Sequence, residues 1–145
     1  MSVSQSPDNI SFFSEEVDFE HPDAPRAQAW IAQIAAAEQA SISDLNYIFC
    51  SDQYLHSINV QYLDHDNYTD IITFDNSGEE DVIESDIFIS IDRIGENAQT
   101  YGVPFGDELT RVMAHGVLHL LGYGDKTESE KLKMREKEDY WKNRY

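Results

Sequence analysis

The chain has 145 residues, 41% of them hydrophobic and 26% charged, which suits one domain able to bury about two thirds of its unfolded surface. A single cysteine, Cys50, excludes an internal disulfide framework and fits a reducing compartment. No apolar run approaches the ~20 residues of a membrane helix, and a net charge of −18 argues against sequence-independent nucleic-acid binding by the whole surface.

The start, MSVSQSPDN, has no basic n-region and is not expected to be a secretory signal, so a soluble cytoplasmic protein is expected. Residues 1–9 read as a frayed end. Ile10–Phe13 reads as a first strand. Pro25 stands where a helix can open, and from Ala27 the run AQAWIAQIAAAEQA is rich in helix formers, with Trp30, Ile31, Ile34 and Ala35 on one stripe. Ser41 and Ser43 break it, and Leu45–Cys50 alternates as a strand. Ser51-Asp52 opens a helix to about Leu63. DHDNY, residues 64–68, is a turn by composition.

Thr69–Phe74 reads as a second β-rich segment, residues 77–81 as a loop, and Asp86–Ile91 as a strand with Ile87, Ile89 and Ile91 alternating. A helix is expected from Ile94 to Tyr101, stopped by Gly102 and Pro104. Asp107 is expected to cap the next helix, which ends near Gly122, and a last amphipathic helix runs from about Thr127 to Trp141. These elements predict one α+β domain over residues 1–145, a mixed sheet of about four strands packed with about five helices.

The segment DELTRVMAHGVLHLLGYGDK, Asp107 to Lys126, carries the chemistry. Leu109, Val112, Met113, Val117, Leu120 and Leu121 form a core stripe, and Gly116 lets a neighbour approach closely. His115 and His119 are four apart and project from one helix face, the spacing by which a helix offers two nitrogens to one zinc ion. Gly122 and Gly124 allow tight bends, so Asp125 can turn back as a third ligand. Three protein ligands with one open position is the catalytic zinc pattern. Two alternatives stand beside it: the histidines as polar residues flanking a core stripe, and Asp125 as a cap on the last helix. Gly116 stands where an HExxH peptidase carries its glutamate base.

Residues 115–123, HGVLHLLGY, resemble the HGxLHLxGYDH signature of the YbeY family of endoribonucleases, or rRNA maturation factors. Thr69–Phe74 is similar to the family's TDVLSF strand, Asp86–Ser90 to its GDIxIS strand, and Ile58 to Tyr62 to its LNxxYR helix end. The likeness runs from about Leu45 to Glu138. It implies an α+β fold with the metal site on a core helix, cytoplasmic location, one zinc ion held by three histidines, and single-strand-specific RNA cleavage. It also implies roles in 3′-end maturation of small-subunit rRNA and in ribosome quality control. Two positions depart from the pattern. Asp125 stands at the third histidine, giving a His115–His119–Asp125 ligand set. Leu63 stands at the family's arginine, for which Arg111 is a candidate substitute, the alternative being that Arg111 pairs with an acid.

Asp70 is a candidate second-shell partner of a ligand histidine, and His65 a candidate substrate contact. His21 and His56 read as surface residues, and Cys50 as a buried hydrophobe. No general base is identified, because RNA can supply its own 2′-hydroxyl as nucleophile. Seven of the ten basic residues lie between Lys126 and Arg144, so RNA is expected to approach that end. The acidic remainder suits basic partners such as ribosomal proteins. A non-catalytic assembly factor with a structural metal, and a metal hydrolase for a small substrate, are the competing functions.

Overall fold

The computed structural model describes residues 9–63 and 69–145. The turn at 64–68, His65 and all of the expected frayed end but Asn9 lie outside the described residues. The elements run β1 (Ile10–Glu15), α1 (Ala24–Ala37), β2 (Ser41–Cys50), α2 (Asp52–Leu63), β3 (Ile71–Asp75), β4 (Val82–Ser90), α3 (Ile91–Tyr101), α4 (Phe105–Leu120) and α5 (Glu128–Lys142).

Alternation in the strands sorts their side chains to two faces. Leu45, Tyr47, Phe49, Ile87 and Ile89 bury against the helices of the main core. Phe88 and Phe74 point the other way, toward a second cluster built on Leu55, Ile58, Ile72 and Cys50. The sheet order is β1-β2-β4-β3, parallel for the first three strands, with β3 antiparallel to β4 along one edge. Helix α2 packs on β3 and β4, and α1 on β1 and β2. Five helices and one mixed four-stranded sheet match the α+β expectation.

Several boundaries differ from the sequence expectation, each for a tertiary reason. Strand β2 begins at Ser41, not Leu45, because its first residues pair with Val82 and Ile83 of β4 across a bulge at Ile42/Asp44. Pairing with a neighbour overrides the weak strand preference of Ser and Asp. Strand β4 likewise starts at Val82 and stops at Ser90, whose hydroxyl caps α3 by accepting from the Arg93 amide at 3.2 Å. Helix α4 begins after Pro104, so Asp107 sits in its first turn and not at the cap.

Helix α4 is the hub, in contact with α1, α3, α5 and β3. Nine of its residues are buried, so its axis cannot shift without disturbing the core. The buried Tyr47 hydroxyl donates to the Met113 carbonyl at 2.9 Å, tying the helix to the centre of the sheet. Gly116 sets how close the two layers come: a Cβ there would lie 3.0 Å from Ile71 Cδ1 and 3.1 Å from Ile87 Cδ1. This contact brings the histidine face of α4 beside the start of β3.

Gly116→Val should therefore push α4 off the sheet. Overpacking of this kind costs about 1–3 kcal/mol, and the loss of helix preference adds a few tenths less than the gain of leaving glycine. The urea midpoint of the metal-free variant is expected to fall by the corresponding amount, and an unchanged midpoint would show that the two isoleucines move aside freely.

Candidate metal centre

His115 and His119 lie on the exposed flank of α4, one turn apart. They line a cleft of about 510 Å³ together with Asp125, Asp70, Arg111 and Glu138. Helix α4 is its floor, α5 one wall, and the end of α3 with the lead into β3 the other.

The backbone after α4 delivers Asp125 to this cleft. Gly122 adopts φ +105°, a conformation that L side chains rarely take. Gly124 has no positive φ, contrary to the bend expected from sequence. It is small for a steric reason, because a Cβ there would collide with the Glu130 carboxylate. Glu130 and Thr127 form a capping box at the start of α5: the Thr127 hydroxyl accepts from the Glu130 amide at 3.1 Å, and Glu130 accepts from the Thr127 amide at 2.9 Å. The cap of α5 is thus Thr127. Asp125 is left outside the helix, and its Oδ2 lies 3.5 Å from His115 Nε2.

Behind His115 is a residue that the sequence did not single out. Glu138, on α5, is 3% exposed, and its Oε2 lies 2.7 Å from His115 Nδ1. Its other oxygen accepts from Arg111 Nη1 at 3.0 Å. Arg111 is held from the far side by Glu108, itself 1% exposed, at 2.7–3.1 Å through Nε and Nη2. Arg111 lines the cleft, but its guanidinium is committed to two buried carboxylates. The pairing alternative is the arrangement found, and Leu63 at the end of α2 brings no replacement charge.

Two buried carboxylates share one guanidinium, which leaves one negative charge facing His115. Burial alone would lower the His115 pKa. The hydrogen bond and charge of Glu138, with Asp125 and Asp70 behind it, outweigh burial and hold the pKa above the ordinary value. Burial would raise the Glu138 pKa, but His115 and Arg111 keep it below the usual carboxylate range. The site is thus arranged for a cation at the imidazole.

These residues fit a metal ion. With Nδ1–H donating to Glu138, His115 presents Nε2 to the cleft, the carboxylate–histidine arrangement that orients metal ligands. Two donors each ~2.1 Å from a tetrahedral zinc stand roughly 3.4 Å apart, and the His115–Asp125 separation of 3.5 Å matches that span. His119 lines the same cleft and is exposed. Among the described residues no three metal-binding side chains are fully gathered at one point, so His119 has to swing toward the pair to complete the set.

Asp70 sits on the opposite lip, where its Oδ2 accepts from Asn97 Nδ2 at 3.4 Å. Glu138, not Asp70, makes the bond behind His115. Cys50 is fully buried; burial, with the nearby Asp92 and Asp52, pushes its thiol up to about 12, so it is inert. The sequence did hold a signal for Glu138. It follows Met134 by four residues and precedes Trp141 by three, which places a carboxylate on the buried stripe of α5.

The Endoribonuclease YbeY family model matches residues 9–145. Proteins carrying that name are 54% identical over 132 residues in Cytophaga hutchinsonii (91% of this chain, 92% of the relative) and 45% identical over 133 residues in Amoebophilus asiaticus (92% and 90%). Another, from Flavobacterium psychrophilum, is 50% identical over 128 residues (88% and 90%). A solution structure of a Thermotoga maritima protein aligns with a TM-score of 0.64 at 26% identity, covering 92% of this chain and 87% of that one.

Cap and ligand roles separate by substitution. Asp125→Ala is expected to lower zinc affinity at least tenfold, read by competition with a chromogenic chelator, with little change in stability. Thr127→Ala is expected to cost about 0.5–2 kcal/mol and to leave zinc affinity in place. The reverse pattern would return Asp125 to a capping role.

Proposed function

Since the chain belongs to the YbeY family of endoribonucleases, we propose that it is a zinc-dependent, single-strand-specific RNA hydrolase. We propose that it works in the cytoplasm on the 3′ end of small-subunit rRNA and in ribosome quality control. The observation that supports the metal-dependent part is the His115–Asp125 pair, 3.5 Å apart at the mouth of a cleft, with Glu138 fixing the imidazole from behind.

In this reading His115, His119 and Asp125 hold one zinc ion. A zinc ion bound there supplies Lewis acidity toward a phosphoryl oxygen and acidifies water. Glu138 keeps the proton on His115 Nδ1, and Arg111 keeps Glu138 ionised and in place. Three carboxylates line the cleft, namely Asp70, Asp125 and Glu138. Asp125 is assigned to the metal and Glu138 to the imidazole. Asp70 remains, tethered by Asn97 on the lip facing His115, as the group to take a proton from the attacking hydroxyl, whether of water or of the RNA ribose.

The assembly-factor reading needs a metal that holds the fold together. Structural zinc sites are closed by four protein ligands. Here His119 and Asp125 are exposed, and the main core is built without them from both sheet and helices. That arrangement favours an open, reactive site.

The purified chain should cut single-stranded RNA with zinc present and leave a duplex intact. Chelation should abolish cleavage while the circular dichroism spectrum is retained. Asp70→Asn should lower kcat by about 10²–10⁴-fold. Unfolding on chelation, or cleavage that persists without metal, would contradict the reading.

A further inference from the structure

An RNA strand has to reach this cleft across a surface dominated by acids, with 28 Asp and Glu against 10 Lys and Arg in the chain. The walls of the cleft carry the features that would admit it. Helix α5 turns the stripe Lys131, Met134, Arg135 and Glu138 toward the cleft. Met134 and Glu138 are buried at its base, and Lys131 and Arg135 stand at the rim with side chains 57% and 62% exposed. Their acid partners, Glu128 at 3.8 Å and Glu138 at 3.9 Å, are at the long end of ion pairing, where exposed pairs hold weakly. Both cations can therefore turn to a phosphate.

The facing wall ends in Tyr101, the last residue of α3. Its ring is 59% exposed, although it belongs to the lining of the cleft. The Arg111 guanidinium lies 5.7 Å from the ring centroid, and Gly102, in the left-handed conformation, ends the helix directly behind it. An exposed aromatic ring on a fixed helix end is a stacking platform that tolerates any base. Cations on one wall and an aromatic ring on the other match the two halves of a nucleotide.

We infer that an RNA single strand crosses the cleft with a backbone phosphate against Lys131 and Arg135 and a neighbouring base stacked on Tyr101. This subsite rests on the ribonuclease reading and gives that reading its substrate contacts. Discrimination for single strands follows from it, since a base paired in a duplex has no free face to offer Tyr101.

The test uses a fluorescein-labelled oligouridine in chelating buffer, so that the strand is bound and not cut. Tyr101→Ala should weaken binding about tenfold, in the range of base–aromatic stacking, while Tyr101→Phe binds like wild type. An oligonucleotide with abasic positions should bind Tyr101→Ala and wild type equally. Lys131→Ala with Arg135→Ala should lower the slope of log affinity against log salt by about 1.4, at ~0.7 for each phosphate contact on a single strand. Ultraviolet cross-linking of a 5-iodouridine strand should label Tyr101. Wild-type binding and cleavage matched by all of these variants, or cross-links confined to tyrosines outside the cleft such as Tyr140, would overturn the subsite and leave the ribonuclease reading standing. Failure of the wild-type chain to bind or cut the strand would remove both.

Discussion

The site depends on one buried carboxylate. Glu138 reaches from α5 to hold the His115 imidazole with one oxygen and the Arg111 guanidinium with the other. Removing two charged groups from water is expensive, and such a network seldom outperforms apolar packing in stability alone. Its position, under the cleft and bonded to the nitrogen opposite the open face of His115, gives it a different use. It fixes which nitrogen carries the proton and which is presented to a ligand. The same bonds set the register between α4 and α5, because a slip of α5 by one residue would carry Glu138 out of reach and leave Arg111 and Glu108 unequally paired.

The rest of the fold supports that placement. Gly116 lets α4 sit close on β3 and β4, which brings Asp70 to the lip facing the histidines. Gly122 turns the chain, and the Thr127–Glu130 capping box starts α5 two residues after Asp125. The carboxylate of Asp125 is thereby spared from helix capping and directed at His115 Nε2. Local backbone chemistry and a long-range buried ion network converge on the same few cubic ångströms, and neither would build the site without the other.

Much of this was legible in the sequence. Helix periodicity placed α4 and its histidines correctly, alternation identified the core strands, and the small residue at 116 was read as a close contact. Features that depend on distant partners were not legible. The first four residues of β2 and of β4 are strand only because they pair with each other. Arg111 and Glu108 are spaced like an ordinary solvated helix pair, and nothing local reveals that Glu108 is buried. Glu138 was passed over within a charge-rich helix, although its place between Met134 and Trp141 on the buried stripe sets it apart. Asp125 was weighed as a ligand or a cap, and the deciding feature, a complete capping box at Thr127, needs the side-chain geometry.

The central claim is that Glu138 holds the proton on His115 Nδ1 so that Nε2 faces the metal. Long-range ¹H–¹⁵N NMR of the zinc-loaded chain, with the imidazoles labelled, reads that tautomer directly. The account predicts a protonated Nδ1 and a metal-shifted Nε2 for His115. A His115 bound through Nδ1 with its proton on Nε2, or an imidazole exchanging between both tautomers, would contradict it.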